Sequence, residues 1–247
     1  MCGRFAFLLP HEAWRGLYKI LNDFPAPPPR YNITPTQPIV TILEREGRRT
    51  AELFRWGFVP AWVKDPKDFP LLINARAESM AEKPSFRDAL RNSRCIVPAS
   101  GYYEWMKAPG GKRLPYYITS AESEALAFAG LYSTWAGPNG EEVDTVAIVT
   151  VDPNLEISSV YDRMPAILRG EAAIDAWLNT RDVGAREAAA LAVSPPPGTM
   201  KYHPVGKAIG SAASEGPELI RPIDPAAEPI EETPKKRAAK NGQLDLF

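Results

Sequence analysis

The sequence predicts an α+β fold built on a mostly antiparallel, strongly curved β-sheet, with peripheral helices and a disordered C-terminal tail. Short apolar runs separated by turn residues fill the middle of the 247-residue chain, which is typical of consecutive antiparallel strands. Helical periodicity is confined to the two ends of this region. After about residue 222 the chain is rich in proline, alanine and charge, a composition that cannot bury a core.

The individual elements follow from this pattern. Strands are predicted at 4–9, 39–43, 50–56, 71–73, 95–98, 101–106, 115–119, 127–135 and 145–151. Helices are predicted after Pro10 and at 86–92, 171–178 and 185–191. Gly47 and Asn139-Gly140 mark hairpin turns, as does Gly110-Gly111, and Ser85 is the expected N-cap of the second helix.

Bulk properties limit the possible functions. We expect one domain over 1–222 and a tail over 223–247. The net charge is −1, so binding to nucleic acid would need a local basic patch. Two cysteines, Cys2 and Cys95, do not form a disulfide framework and suit a reducing compartment. With neither a membrane-spanning apolar run nor a signal-peptide pattern, the expected location is the cytoplasm.

The N-terminal sequence Met1-Cys2 suggests unusual chemistry. Removal of Met1 would leave Cys2 with an α-amine and a thiol on adjacent carbons. Such an aminothiol can condense with an aldehyde, first to an imine and then to a thiazolidine ring. With a pKa of about 7.7–8.0, the amine is partly neutral at pH 7. The alternative is that Cys2 is simply a small buried apolar residue.

Polar residues that could act in a site lie in one predicted strand and directly after another. Asn74 and Arg76 are separated by one alanine, so their side chains share one face of an extended segment. Glu104 lies between Tyr103 and Trp105, where aromatic surroundings would raise its pKa toward that of a general acid or base. The alternative interpretations are a strand-end amide that satisfies backbone groups, for Asn74, and a salt-bridged or solvent-facing carboxylate, for Glu104.

Basic and aromatic residues offer contacts for an anionic ligand. Arg163 precedes Met164-Pro165, and a guanidinium on such a rigid turn could bind phosphate or carboxylate. Three tryptophans could stack on bases or could belong to the core: Trp56, Trp62 and Trp105.

Taken together, several motifs resemble the SRAP family, the SOS-response-associated peptidases or abasic-site processing proteins. The resemblance covers roughly residues 2–222. The motifs are Cys2-Gly3-Arg4-Phe5, Arg55-Trp56-Gly57 with Pro60 and Trp62, Asn74-Ala75-Arg76-Ala77-Glu78, Pro84-Ser85-Phe86-Arg87, 98–105, Phe128-Ala129-Gly130-Leu131 and Arg163-Met164-Pro165. The resemblance implies a sensor of abasic sites in single-stranded DNA, which shields them as a thiazolidine DNA–protein cross-link. It also implies autocatalytic removal of the residue before the cysteine and possible lyase-type chemistry.

The resemblance also implies roles for individual residues. Cys2 is the nucleophile, Asn74 orients its amine or the opened sugar, and Glu104 donates and accepts protons. The implied DNA-binding residues are Arg4, Arg76, Arg87, Trp105 and Arg163. The family usually has a histidine where this sequence has Tyr161. Because tyrosine is mainly a proton donor at pH 7, we expect capture to persist and reversal to be slower, unless His11 or His203 substitutes in space.

The end of the tail resembles the short peptide by which bacterial repair proteins bind the sliding clamp. It consists of Gln243, Leu244, Asp245, Leu246 and Phe247. Its leucine and phenylalanine side chains could fill a pocket of a partner, and the tail over 223–247 would act as a flexible tether.

Two other functions remain open at this point. One is a thiol peptidase or N-terminal-nucleophile amidohydrolase that acts on external substrates. The other is a reader of modified bases that does not form a covalent bond. We expect no cofactor and no metal, a monomer, and, for the function in abasic-site capture, association with the nucleoid when the protein is bound to DNA.

Overall fold

A closed, barrel-like sheet forms the centre of the computed structural model, which describes residues 2–107 and 111–225. The strands are β1 (Phe5–Phe7), β2 (Arg30–Ile33), β3 (Pro38–Arg45), β4 (Arg48–Trp56), β5 (Asn74–Arg76), β6 (Arg94–Ala99), β7 (Gly101–Lys107), β8 (Arg113–Ser120), β9 (Leu126–Ala136), β10 (Glu142–Val151), β11 (Met164–Pro165) and β12 (Met200–Pro204). The α-helices are α1 (His11–Tyr18), α2 (Arg87–Asn92), α3 (Gly170–Leu178) and α4 (Ala185–Ala189).

The barrel closes because β10 pairs with strands on both of its edges. Around the ring the order is β10, β4, β3, β6 and β9, and β9 pairs again with β10. The pairs β10–β4 and β10–β5 are parallel and the other pairs of this sheet are antiparallel. Its interior is filled by buried apolar side chains from every strand of the ring.

The second sheet has five antiparallel strands in the order β12, β8, β7, β1 and β2. Strand β7 is its central strand, and residues alternate between its two faces. Tyr102 belongs to the main core, whereas Tyr103 belongs to a smaller core with Val205 and Ile209. Strand β7 therefore separates two packing environments.

The α+β, mostly antiparallel prediction is confirmed. The hairpin turn at Gly47 is also confirmed, with φ of 74° in the left-handed region that glycine tolerates. Two local predictions are wrong. The strand expected at 71–73 is instead β5 (Asn74–Arg76), because Leu71 is exposed and Leu72 makes only one isolated bridge, to Phe58. Ser85 does not cap α2, whose N-cap is Phe86.

None of the helices among the described residues is long and apolar enough to cross a membrane. Residues 226–247, with the predicted peptide Gln243–Phe247, lie outside the described part of the chain.

Candidate active site

Cys2 is fully buried. It lies just before strand β1, which pairs with β7. Its sulfur lies 4.0 Å from the carbonyl oxygen of Arg4, and the same carbonyl accepts the backbone N–H of Tyr103 at 3.0 Å. Burial, and secondarily the charge of Glu104, raise the pKa of the Cys2 thiol far above its ordinary value. The sulfur is therefore a neutral thiol at pH 7 and needs a base to become nucleophilic.

Glu104 can supply that base. It lies on β7, opposite Tyr116 of β8, and only 3% of it is exposed. Burial raises the pKa of this carboxyl from 4.5 to about 7. A group with this pKa can hold or release a proton near neutrality, as a general acid–base catalyst must. The cause of the raised pKa is burial and not contact with Tyr103 and Trp105, because these two side chains lie on the other face of β7, in or against the smaller core. The aromatic residues on the face of Glu104 are Tyr102 and Tyr116.

Asn74 opens strand β5 and pairs with Ile148 of the parallel strand β10. Its Nδ2 donates to the Ile148 carbonyl oxygen at 3.4 Å. Its Oδ1 is buried and accepts no hydrogen bond within residues 2–107 and 111–225. A buried amide oxygen without a donor can receive an amine or a hydroxyl group from a ligand.

Trp56 links the segment of Asn74 to the N-terminal strand. Its indole N–H donates to the carbonyl oxygen of Ile73 at 2.9 Å, and its ring packs edge-on against Phe5 with 5.3 Å between centroids. Trp56 is fully buried, so it belongs to the core and is not a surface for stacking bases. It connects two parts of the site that are distant in sequence.

Tyr161 follows a short 3-10 helix at Ile157–Ser159, and its backbone N–H donates to the Ile157 carbonyl oxygen at 2.9 Å. Its side chain is half-buried. Burial, followed by the charge of Glu104, raises the pKa of the Tyr161 hydroxyl. Tyr161 thus lies within electrostatic reach of Glu104 and remains a protonated phenol at pH 7.

Arg4 is partly committed to contacts within the protein. Its two terminal nitrogens donate to Asn32 Oδ1 and to the Gly210 carbonyl oxygen, each at 2.8 Å. The guanidinium also lies 6.0 Å from the ring centroid of Trp105, which is half-buried beside it. Arg4 therefore packs against Trp105 of strand β7.

The guanidinium group of Arg163 makes more hydrogen bonds within the protein than that of Arg4 does. It is buried, and it donates to Asp152 Oδ1 at 2.8 Å, Glu78 Oε2 at 2.9 Å and the Thr150 carbonyl oxygen at 2.7 Å. These contacts fix the chain just after Tyr161 to strand β10. In this arrangement each of the two terminal nitrogens of the guanidinium already donates to a carboxylate.

The two other arginines predicted to contact DNA are exposed. Arg76 lies on β5, two residues from Asn74 and on the same face. Arg87 is the first residue of helix α2, and its Nε lies 3.8 Å from Oδ1 of the neighbouring Asp88. Trp62, 58% exposed and edge-on against Phe69, is the most accessible of the three tryptophans considered from the sequence.

The structure thus brings Cys2 and Tyr161 each within electrostatic reach of Glu104, although the three residues are far apart in sequence. Sequence reasoning missed Tyr102, which shares a face of β7 with Glu104. The two-residue spacing was the available signal. It also missed Glu78 and Asp152 as partners of Arg163, for which local sequence carries no signal.

Comparison with known proteins agrees with the motif-based resemblance. The family model described as SOS response associated peptidase (SRAP) matches residues 1–212. The chain is 36% identical over 222 residues to the abasic site processing protein YoqW of Bacillus subtilis, covering 89% of this chain and 99% of YoqW. It is 33% identical over 230 residues to the abasic site processing protein YedK of Escherichia coli, covering 90% of this chain and all of YedK.

A solved structure shares the fold as well. The crystal structure of a protein from Bacteroides thetaiotaomicron superposes with a TM-score of 0.80 at 26% identity, covering 90% of this chain and 100% of that one. The predicted resemblance is confirmed by sequence and by fold. The chain belongs to the SOS response associated peptidase (SRAP) family.

Proposed function

We propose that this protein processes abasic sites in single-stranded DNA by forming a covalent bond through Cys2. The relatives YoqW and YedK are both named as abasic site processing proteins. The observation that carries the proposal is that a buried carboxyl, Glu104, whose pKa is about 7, lies within electrostatic reach of a buried thiol, Cys2. This supports the pairing of a nucleophile with a base in a site from which water is excluded.

The proposed reaction begins once Met1 is removed, which is the peptidase activity of this proposal. The freed amine of Cys2 adds to the aldehyde of the ring-opened sugar, and loss of water gives an imine. The sulfur then adds to the imine carbon and closes a thiazolidine. Glu104 accepts and returns protons, and the acceptor oxygen of Asn74 orients the amine or the sugar.

The DNA-binding residues of the proposal fall into two groups. Arg76 and Arg87 are exposed and can approach backbone phosphates directly. Arg4, Trp105 and Arg163 are tied to other parts of the protein, so they would shape the entrance of the site and orient the segment that carries Tyr161.

The test is to incubate purified protein with a single-stranded oligonucleotide that contains one abasic site and to separate the products under denaturing conditions. We expect a denaturation-resistant adduct with the wild type and none with Cys2→Ala. Cys95→Ala is the matched control, because Cys95 is equally buried but lies within the barrel on β6, and it should keep the adduct. The intact mass should lack one methionine. An adduct that survives Cys2→Ala would refute the proposal.

We further propose that residues 243–247 bind the bacterial sliding clamp. The support is the resemblance of this peptide to clamp-binding motifs and its position at the end of a polar, proline-containing segment. Deleting residues 243–247 should abolish capture of the protein by immobilised clamp and leave the yield of DNA adduct unchanged. The control replaces Lys235, Lys236 and Arg237 by alanine, which should preserve clamp binding. Retained capture after the deletion would show that the peptide is not used.

A further inference from the structure

The hydroxyl group of Tyr102 occupies an unusual position next to the site. Tyr102 is fully buried on β7, two residues before Glu104 and therefore on the same face of the strand. Phe5 of β1 is its partner in register, and its ring packs edge-on against Phe128 with 6.0 Å between centroids. The ring is thus held in place by aromatic neighbours, and the orientation of its hydroxyl is fixed with it.

The Tyr102 hydroxyl is buried without a hydrogen-bond partner among the residues that the structure describes. Buried tyrosine hydroxyls usually have a partner, and leaving one without costs about 1–3 kcal/mol. The adjacent Tyr103 follows the usual rule, since its hydroxyl donates to the carbonyl oxygen of Tyr31 at 2.7 Å. Such an unsatisfied group calls for an explanation, and a partner that appears only during the reaction provides one.

The groups around this hydroxyl identify that partner. Burial raises the pKa of Tyr102 well above its ordinary value, and a negative charge on Cys2, followed by one on Glu104, acts in the same direction. Tyr102 therefore stays protonated at neutral pH and acts as a hydrogen-bond donor. The sulfur of Cys2 is also anchored beside this strand, because it points to the same Arg4 carbonyl that the backbone N–H of Tyr103 contacts.

We propose that the Tyr102 hydroxyl donates a hydrogen bond to the sulfur of Cys2 while the thiazolidine ring closes and opens, which would make it a further catalytic residue. This inference rests on the proposed function. In ring closure the C–S bond forms, the electrons of the C=N double bond move to nitrogen, and the thiol proton reaches that nitrogen through Glu104. Ring opening reverses each step, with the electron pair of the C–S bond leaving on sulfur. Tyr102 keeps its own proton and stabilises the negative charge that develops on sulfur in both directions.

The test replaces Tyr102 by phenylalanine, which removes only the oxygen. A hydrogen bond to a charged group contributes about 1.5–3 kcal/mol, so both adduct formation and release should slow by about 10- to 100-fold. Because both directions slow together, the fraction of cross-linked DNA at equilibrium should not change. The melting temperature should not fall, since within residues 2–107 and 111–225 the hydroxyl has no hydrogen-bond partner to lose. A merely structural tyrosine would show the opposite pattern, with a lower melting temperature and unchanged rates.

Tyr103→Phe is the matched control because its hydroxyl lies on the other face of β7 and is hydrogen-bonded. It should destabilise the protein by losing that bond and leave both rates unchanged. Wild-type rates in Tyr102→Phe, or equal slowing in Tyr103→Phe, would overturn the assignment of Tyr102 alone. Absence of any adduct with the wild-type protein would instead refute the proposed function, and this inference with it.

Discussion

The imidazole of His203 packs edge-on against the ring of Tyr117, with 5.8 Å between the two ring centroids. His203 lies opposite Tyr117 in register, and Tyr117 lies opposite Tyr103. All three side chains therefore occupy the face of the sheet away from Glu104. His203 Nε2 also lies 2.8 Å from the Ile220 carbonyl oxygen. In this arrangement His203 does not replace the histidine that the family usually has at the position of Tyr161.

His11 is held elsewhere as well. It lies in α1, with Nε2 3.0 Å from the carbonyl oxygen of Phe24 and its ring edge-on against Trp14. The charge of Glu104 does affect the pKa of Tyr161. Tyr161 is therefore the side chain to change in a test of proton transfer.

Tyr161→His should speed the release of DNA from a preformed cross-link by about tenfold or more, because histidine titrates near neutrality and general acid–base catalysis commonly contributes larger factors than this. Release would be followed over time after transfer to excess competing aldehyde. His203→Gln is the control and should release DNA at the wild-type rate. An unchanged release rate in Tyr161→His would show that Tyr161 does not limit reversal.

The ionisation of Glu104 should control the pH dependence of capture. Because the pKa of this carboxyl is raised to about 7, the rate of ring closure should increase with pH up to about that value, as the carboxylate forms. Glu104→Gln should be slower and should lose this pH dependence. Single-turnover rates between pH 5 and pH 9, roughly the range in which such a group titrates, would be measured. A wild-type profile that is retained in Glu104→Gln would contradict the assignment.

The same pKa shift predicts an effect on stability. The unfolded state releases the Glu104 proton at lower pH than the folded state does, so folding should become less favourable as pH rises from 4.5 to about 7. Over this window Glu104→Gln should gain stability relative to the wild type, by about 3 kcal/mol. Urea unfolding below and above the window would measure this, with the exposed Glu44→Gln as the control. A constant difference would contradict the shift.

Arg76 should contribute to DNA affinity through a phosphate contact. Arg76→Ala is expected to weaken binding to single-stranded DNA regardless of sequence and to reduce the slope of log affinity against log salt by about 1. Arg186→Ala on the exposed surface of α4 is the control and should leave the slope unchanged. The measurement is a binding titration at several salt concentrations, made with Cys2→Ala so that no cross-link forms. An unchanged slope in Arg76→Ala would exclude the contact.

Arg94 should be among the residues most important for stability. It is 1% exposed and donates to the carbonyl oxygens of Leu90, Trp177 and Asn179 at 2.6–2.7 Å. It thereby joins the ends of α2 and α3 to the barrel. Arg94→Met should lower the free energy of unfolding by about 3 kcal/mol or more, because several buried carbonyls lose their donor. The exposed Arg91→Met should change it by less than about 0.5 kcal/mol in the same urea titration, and a similar small effect at Arg94 would contradict the argument.

Local sequence determined which side chains share a face. The two-residue period of β-strands placed Asn74 on the same face as Arg76, and it likewise places Tyr102 on the same face as Glu104. Turn residues and apolar runs gave most strands of both sheets within a few residues, and the motifs gave the family. The segment 71–73 shows the limit, since its apolar residues suggest a strand although the ladder with β10 begins only at Asn74.

Only the tertiary structure decided which faces meet and how deeply they are buried. The tertiary fold brings Cys2 and Tyr161 each within electrostatic reach of Glu104, pairs Arg163 with two carboxylates and places His203 on the face of the second sheet away from Glu104. These relationships join residues that are up to 102 positions apart, as Cys2 and Glu104 are, so no local period encodes them. The pKa of Glu104 likewise depends on the exclusion of water, a property of the packed molecule and not of any single strand.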